Sequence, residues 1–267
     1  MSEVQSYAPG TFSWIELGTT DQEGAKTFYG TLFGWQPKDV PMGQEAPYTL
    51  LQVAGQDVAG LYTLTPEQRG QNVPPNWLAY VTVASADEAA EKAKALGGEV
   101  VMDVQDVWDL GRMAVLKDPT GGTFAVWQAK SHIGSYRTDE AGTRCWTELG
   151  SHDVAAAEAF YTGLFGWRAE KMNVGDMGTY TVFHNGDRMA AGLFEMPPEW
   201  SESPSLWITY FAVDDCDAAT HQARSLGAAV QYEPSDIPGI GRFALLQDPQ
   251  GAGFALLTPV PQEAAQG

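Results

Sequence analysis

The sequence predicts an α+β fold: four βαβββ modules in two tandem copies, each pair of modules forming a curled mixed sheet with helices outside. Two observations carry this expectation. The chain repeats itself at a fixed spacing, and inside each copy strand-like alternation switches to helix-like periodicity and back, twice. FYGTLFGW at 28–35 recurs as FYTGLFGW at 160–167, an offset of 132 residues that also relates Trp14 to Trp146, Glu16 to Glu148, Tyr48 to Tyr180 and Gly60 to Gly192. Further along the offset becomes 130 and links Trp77 to Trp207, Tyr80 to Tyr210, Arg112 to Arg242, Asp118-Pro119 to Asp248-Pro249 and Phe124 to Phe254. Half of 267 residues is ordinary single-domain size. The expected domains are 12–129 and 145–260. The polar, glycine-containing stretch 130–144 (KSHIGSYRTDEAGTR) is read as the linker.

Each element has a local reason. FSWIELG (12–18) alternates as a strand does, and Thr20-Asp21 then supply a helix start. In the helix that follows, Ala25, Phe28, Tyr29, Leu32 and Phe33 make an apolar stripe, and Gly34 stops it. YTLLQVA (48–54) and DVAGLYTL (57–64) read as a hairpin around Gly55-Gln56. TPEQRGQNVPPN is a Pro-rich connection, either a rim to an opening or a spacer, and WLAYVTVA (77–84) is again a strand. SADEAAEKAKALGG has a polar start and a glycine end, so it reads as a helix, and GRMAVLKD and GTFAVWQ flank the turn Asp118-Pro119-Thr120-Gly121. The second copy repeats this order from CWTELG through GRFALLQDPQGAGFALL, with MPPEWSESP as its Pro-rich connection.

Composition bounds the function. With 44% hydrophobic and 11% aromatic residues the chain can build packed cores, and no apolar run reaches bilayer-spanning length. The N-terminal MSEVQSYAPG has neither a basic nor an apolar segment, which points to a cytoplasmic protein. A net charge of −19 with no Lys/Arg cluster argues against nucleic acid and anionic membrane as partners. Cys145 and Cys216 lack metal-ligand spacing and are expected to be packing residues.

The strand, the D-x(6)-FY-x-x-LFGW helix, the VAGL hairpin, the Gly-Gly helix end and the closing DPxG strand together resemble the vicinal oxygen chelate superfamily of glyoxalases, bleomycin-resistance proteins and extradiol dioxygenases. The resemblance covers about residues 12–129 and 145–259. It implies the four-module fold, and for the metal enzymes of the family it implies His, Gln or Glu on inward strand positions holding a divalent ion. Carried onto this sequence, those positions fall on Trp14, Gly60, Leu78 and Ala125, and on Trp146, Gly192, Ile208 and Ala255. None of these side chains can coordinate a metal, and His132, His152, His184 and His221 have no partner at ligand spacing. The expectation is therefore no metal and no cofactor, which argues against a standard glyoxalase or ring-cleaving mechanism.

Strand alternation then suggests what lines each hollow instead. The face with Trp14 also holds Glu16 and that with Leu78 also holds Tyr80, while copy two supplies Trp146, Glu148, Ile208 and Tyr210. Ala125 with Trp127, Ala255 with Leu257, and Tyr62 and Phe194 beyond Gly60 and Gly192 complete the expected lining. An aromatic wall with one carboxylate suits a flat or greasy organic ligand, and ordinary core packing by Trp14 and Trp146 is the competing reading. Glu16 and Glu148 are candidate acid/base groups, Tyr80 and Tyr210 candidate donors to an oxyanion, and Arg112 and Arg242 either meet a carboxylate in the hollow or are plain strand-edge arginines. Three functions stay open: a metal-free binder of a hydrophobic or aromatic metabolite; a metal-free isomerase, lyase or hydroxylase-like enzyme using Glu16 or Glu148; and a metal-dependent glyoxalase or dioxygenase. The expected partner is a small organic molecule, with the chain a monomeric pseudo-dimer or a homodimer.

Overall fold

A computed structural model describes residues 3–43, 45–174 and 178–260 of the chain. Copy one runs β1 (Phe12–Thr19), α1 (Gln22–Phe33), β2 (Gln36–Met42), β3 (Glu45–Val53), β4 (Gln56–Thr63), α2 (Pro66–Gly70), β5 (Asn76–Thr82), α3 (Ala86–Ala95), β6 (Glu99–Val107), β7 (Gly111–Lys117) and β8 (Thr123–Ala129). Copy two runs β9 (Arg144–Ser151), α4 (Val154–Phe165), β10 (Arg168–Asn173), β11 (Thr179–Asn185), β12 (Arg188–Glu195), a 3-10 turn (Pro198–Trp200), β13 (Leu206–Ala212), α5 (Cys216–Ser225), β14 (Ala229–Ile237), β15 (Gly241–Gln247) and β16 (Gly253–Pro259). Strand order is β2-β3-β4-β1-β5-β8-β7-β6 in one mixed eight-stranded sheet and β10-β11-β12-β9-β13-β16-β15-β14 in the other. This is the α+β, four-module fold that the sequence predicts.

The strands that sequence periodicity leaves unplaced are β2, β6, β10 and β14, the outermost strand at each sheet end. Their residues are mostly exposed, and Pro37 and Pro41 interrupt β2 as Pro234 does β14, so no alternation marks them as half-buried. The hairpin turn between β3 and β4 sits one residue earlier than expected, on Ala54 and Gly55, both at positive φ (51° and 78°). Residues 131–143 of the linker carry no helix or strand.

The chain divides into two compact units: Met1–Ile15 with Leu78–Tyr136 and Trp146–Ile208, and Glu16–Trp77 with Arg137–Cys145 and Thr209–Gly267. Each unit therefore takes one module from each copy, and its interior shows why the FYxxLFGW motif occurs twice.

In the unit holding α1, Asp21 caps the helix by accepting from Gly24 N, and Gly34 ends it in the left-handed region (φ 73°), the conformation glycine adopts without a Cβ penalty. Tyr29 is fully buried and stacks on Trp35, with Phe254 edge-on at 5.7 Å, while Phe33 lies 4.9 Å from Phe211. Burial obliges the polar tips to pair. Trp77 Nε1–H donates to the Tyr29 hydroxyl (3.0 Å), which donates to Asp248 Oδ2 (3.0 Å), and Trp35 Nε1–H donates to Gly142 O (2.6 Å). Asp248 Oδ1 closes its own turn by accepting from Gln250 N and Ala252 N (2.9 Å each).

The other unit builds the same relay from the other residues of each repeat. Trp207 Nε1–H donates to Tyr161 (2.8 Å), which donates to Asp118 Oδ2 (2.7 Å), and Trp167 Nε1–H donates to Gly10 O (2.9 Å). Burial first, and then the adjacent aspartate charge, holds the Tyr29 and Tyr161 phenols well above the ordinary range. Burial also raises Asp248.

Candidate functional site

Glu16 and Glu148 sit at equivalent places on β1 and β9. Parallel pairing sets Glu16 beside Gly60 and Gly18 beside Tyr62 on β4, and Glu148 beside Gly192 and Gly150 beside Phe194 on β12. Antiparallel pairing then places Tyr180 of β11 opposite Phe194. Because side chains alternate between faces, Glu148, Gly192, Phe194 and Tyr180 share one face, as do Glu16, Gly60 and Tyr62.

On that face the second copy forms a continuous polar chain. Trp146 Nε1–H donates to the Tyr180 hydroxyl (2.9 Å), and Tyr180 donates to Glu148 Oε2 (2.7 Å). The chain exists because residue 192 is glycine: a Cβ there would lie 1.8 Å from the Tyr180 hydroxyl oxygen. Glu148 is 8% exposed, so its charge is taken out of water and depends on such donors. Burial, then the Glu148 charge, pushes the Tyr180 phenol well up, so it stays a proton donor.

In the first copy Tyr48 donates to Glu16 Oε2 at the same 2.7 Å. Tyr62 lies nearby, its phenol pushed up to about 12 by burial and then by the Glu16 charge. Its ring tip covers Gly18, where a Cβ would come within 2.9 Å of the hydroxyl; Phe194 covers Gly150 in the same way.

The connections after β4 and β12 reach these rings. Gln68 on α2 donates from Nε2 to the Tyr62 hydroxyl (2.9 Å), and Trp200 in the 3-10 turn meets Phe194 edge-on at 6.4 Å between centroids.

Other expected lining residues sit on the second module of each copy. Tyr80 pairs in register with Ala125 and Tyr210 with Ala255. Tyr80 and Tyr210 are buried at 3% and 4% exposure, Leu78 is half-buried, and Ile208 and Leu257 are buried. Trp127 lies 6.5 Å from Tyr80 and over Gly111, and its Nε1–H donates to His132 O (2.9 Å) in the linker. Trp14 is edge-on to the His132 ring at 4.9 Å, and its counterpart Trp146 is half-buried and bound to Tyr180.

Arg112 points the other way from Trp127. It pairs with Gln128, so alternation puts it on the opposite face, where it grips Asp87 of α3 through two 2.8 Å bonds and reaches Asp106. Arg242 repeats this with Asp217 and Asp236. Both guanidiniums lock a helix to its sheet rather than face Ala125, Trp127, Ala255 and Leu257.

Sequence reasoning missed Tyr48, Tyr180, Gln68, Trp200 and His132 as neighbours of the candidate residues. Tyr48 and Tyr180 were visible as a 132-residue match, and Gln68 and Trp200 obey the same offset. Only strand register turns those matches into contacts with Glu16, Glu148, Tyr62 and Phe194. A separate cleft of about 360 Å³ lies at the end of α1 and the start of α5, lined by Leu32, Phe33, Gly142, Asp215 and Gln222 among others.

The glyoxalase family model, described as the Glyoxalase/Bleomycin resistance protein/Dioxygenase superfamily, matches residues 11–126 and 145–256. The chain belongs to that superfamily. It is 39% identical over 264 residues to CFP32 of Mycobacterium tuberculosis, described as a candidate glyoxylase, covering 98% of this chain and 100% of that one. It is 35% identical over 263 residues to the anthracycline biosynthesis protein DnrV of Streptomyces peucetius, covering 94% of each. In fold it is similar to the Mn(II)-bound glyoxalase from Novosphingobium aromaticivorans, with a TM-score of 0.65, 16% identity and coverage of 94% of this chain and 82% of that one. The 2,3-dioxygenase LapB of Pseudomonas sp. KL28 aligns with a TM-score of 0.63 at 12% identity, covering 98% and 96%.

The fold family includes metal enzymes, and the donor chemistry here does not fit their ion. The strand positions expected to ligate carry indole, hydrogen or aliphatic side chains, and an indole N–H only donates. Among the described residues no group of three or more His, Cys, Asp or Glu side chains gathers to hold a cation.

Proposed function

We propose that the protein binds a hydrophobic or aromatic small metabolite against the strand faces carrying Glu16 and Glu148. The reading is supported most by one observation: a buried carboxylate, Glu148, is held by a tyrosine that crosses a side-chain-free gap at Gly192 and is itself fixed by Trp146. Such an arrangement combines apolar rings for area burial with one oriented polar group for selectivity. The relatives named for anthracycline biosynthesis support an aromatic ligand. Duplication lets one chain act as its own dimer, and the acidic surface keeps nucleic acid away.

A second reading has the same residues catalyse a metal-free isomerase- or lyase-type proton transfer. Tyr180, held protonated, favours it: on substrate binding its one hydroxyl proton would turn from Glu148 to a developing oxyanion, which frees Glu148 to accept the substrate proton. Tyr48 and Glu16 would play these parts in copy one, and Tyr80 and Tyr210 stand as further donors.

Both readings are tested by untargeted metabolite capture from lysate with wild type, Glu16→Gln and Glu148→Gln, followed by mass spectrometry of the bound fraction before and after incubation. Binding alone predicts an unaltered captured molecule whose recovery depends on the two positions. Catalysis predicts a changed product mass or isomer that both replacements together abolish. Recovery of no small molecule by wild type would overturn both.

A further inference from the structure

Among the matched positions at which the two copies differ, two are in contact within each copy. Residues 62 and 194, and residues 68 and 200, stand at the same 132-residue offset, each pair joining the strand face beside the glutamate to the short turn after the hairpin. In copy one the pair is Tyr62 with Gln68 and is polar; in copy two it is Phe194 with Trp200 and is aromatic.

The polar pair has a defined direction. Gln68 belongs to a capping box in which its Oε1 accepts from Thr65 N (2.9 Å) while Thr65 Oγ1 accepts from Gln68 N (3.2 Å). With Oε1 committed, the Gln68 amide turns its NH₂ toward Tyr62, and the tyrosine oxygen accepts. The Tyr62 proton is then left to donate, on a residue that leans over Gly18 two positions from Glu16. At the equivalent place in copy two the Phe194 ring packs edge-to-face with Trp200.

We propose that these pairs set different ligand classes for the two copies. The Tyr62–Gln68 pair selects an aromatic ligand bearing a carbonyl or other hydrogen-bond acceptor, and the Phe194–Trp200 pair selects an apolar aromatic ligand without one. The proposal rests on the small-molecule binding reading above.

The test is equilibrium dialysis of the full chain with two probes of one shape, 2-acetylnaphthalene and 2-isopropylnaphthalene. Tyr62→Phe is expected to weaken the ketone about fivefold, the worth of one neutral hydrogen bond, and to leave the hydrocarbon unchanged. Trp200→Gln is expected to weaken the hydrocarbon about fivefold and leave the ketone unchanged. Phe194→Tyr, which adds one oxygen, is expected to raise the number of ketone molecules bound and stands in if Trp200→Gln does not fold. Saturable binding whose probe preference no variant shifts overturns the proposal alone. Absence of saturable binding of either probe by wild type overturns the binding reading with it.

Discussion

The Tyr180 hydroxyl lies 2.7 Å from Glu148 Oε2 and donates to it across a strand position that has no side chain. A methyl group at residue 192 would occupy the space of that hydroxyl, so Gly192→Ala should break the pair as surely as Tyr180→Phe does. Either change leaves Glu148 buried with one donor fewer and Trp146 Nε1–H without its acceptor, at a cost of ~1–3 kcal/mol. Chemical denaturation of the two variants should show losses of this size. Equal stability of Tyr180→Phe and wild type would mean that the pair contributes nothing.

The same tyrosine belongs to a set with a shared alkaline signature. Tyr29, Tyr161 and Tyr180 are pushed well above the ordinary phenol range and Tyr62 to about 12, burial being the first cause in each case. The unfolded chain releases these protons near pH 10. Between there and the folded values the unfolded state binds fewer protons than the native one, so stability falls as pH rises through that window and is fully present below it. Absorbance at ~295 nm should show at least four of the ten tyrosines still un-ionised in native protein at about pH 11, and all ionised in denaturant. Because the Glu16 charge adds to the Tyr62 shift, Glu16→Gln should let one tyrosine ionise earlier.

What was legible beforehand follows the physics of each signal. The modules, the helices and the inner strands showed because burial on one face imposes a period, and Asp21, Gly34 and the DPxG turns punctuate it. The edge strands β2 and β14 have little buried face, and their prolines mask the alternation. Tyr29, Trp77 and Asp248 were each visible as repeated residues, yet the bond from Tyr29 to Asp248 spans 219 positions and joins opposite copies, which no periodicity encodes. At the site, Glu16 and Glu148 stood out as carboxylates among apolar neighbours. Their tyrosine partners lie two strands away in the sheet and needed register. Arg112 and Arg242 were placed on the correct strands, but their face depends on pairing with Gln128 and Thr258.

Copy one buries a polar cluster whose central glutamine is a valine in copy two. Gln22 Nε2 donates to Thr49 Oγ1 and Pro47 O (2.8 Å each), and Gln22 Oε1 accepts from Thr63 Oγ1 (2.8 Å). The position of Gln22 is Val154 in copy two, and the Thr181 hydroxyl, counterpart of Thr49, is fully buried with no hydrogen-bond partner among the described residues. An unmade hydrogen bond costs more than an absent group, so Thr181→Val should stabilise the protein by about 1 kcal/mol. Thr49→Val should destabilise it by a similar amount, because Gln22 loses an acceptor. Opposite shifts in the denaturation midpoint are the expected result, and a loss at both positions would count against this account of Thr181.

Beside that cluster the copies reverse an ion pair. Lys26 on α1 meets Asp39 on β2 (2.8 Å) and Glu23, whereas the equivalent positions in copy two are Glu158 on α4 and Lys171 on β10 (3.1 Å). Lys26 has a side-chain exposure of 8%, and Asp39 is further held by Thr49, which donates to its Oδ1 (2.6 Å). If the requirement is for opposite charge and not for a particular residue, Lys26→Glu should destabilise the protein by placing two carboxylates together. Adding Asp39→Lys should recover most of that loss, as copy two already does. A double-mutant cycle should give a coupling of roughly 1 kcal/mol that shrinks in high salt, since Asp39 is half-exposed. The recovered stability should still fall short of wild type, because an ammonium group in place of the Asp39 carboxylate cannot accept the Thr49 hydroxyl proton.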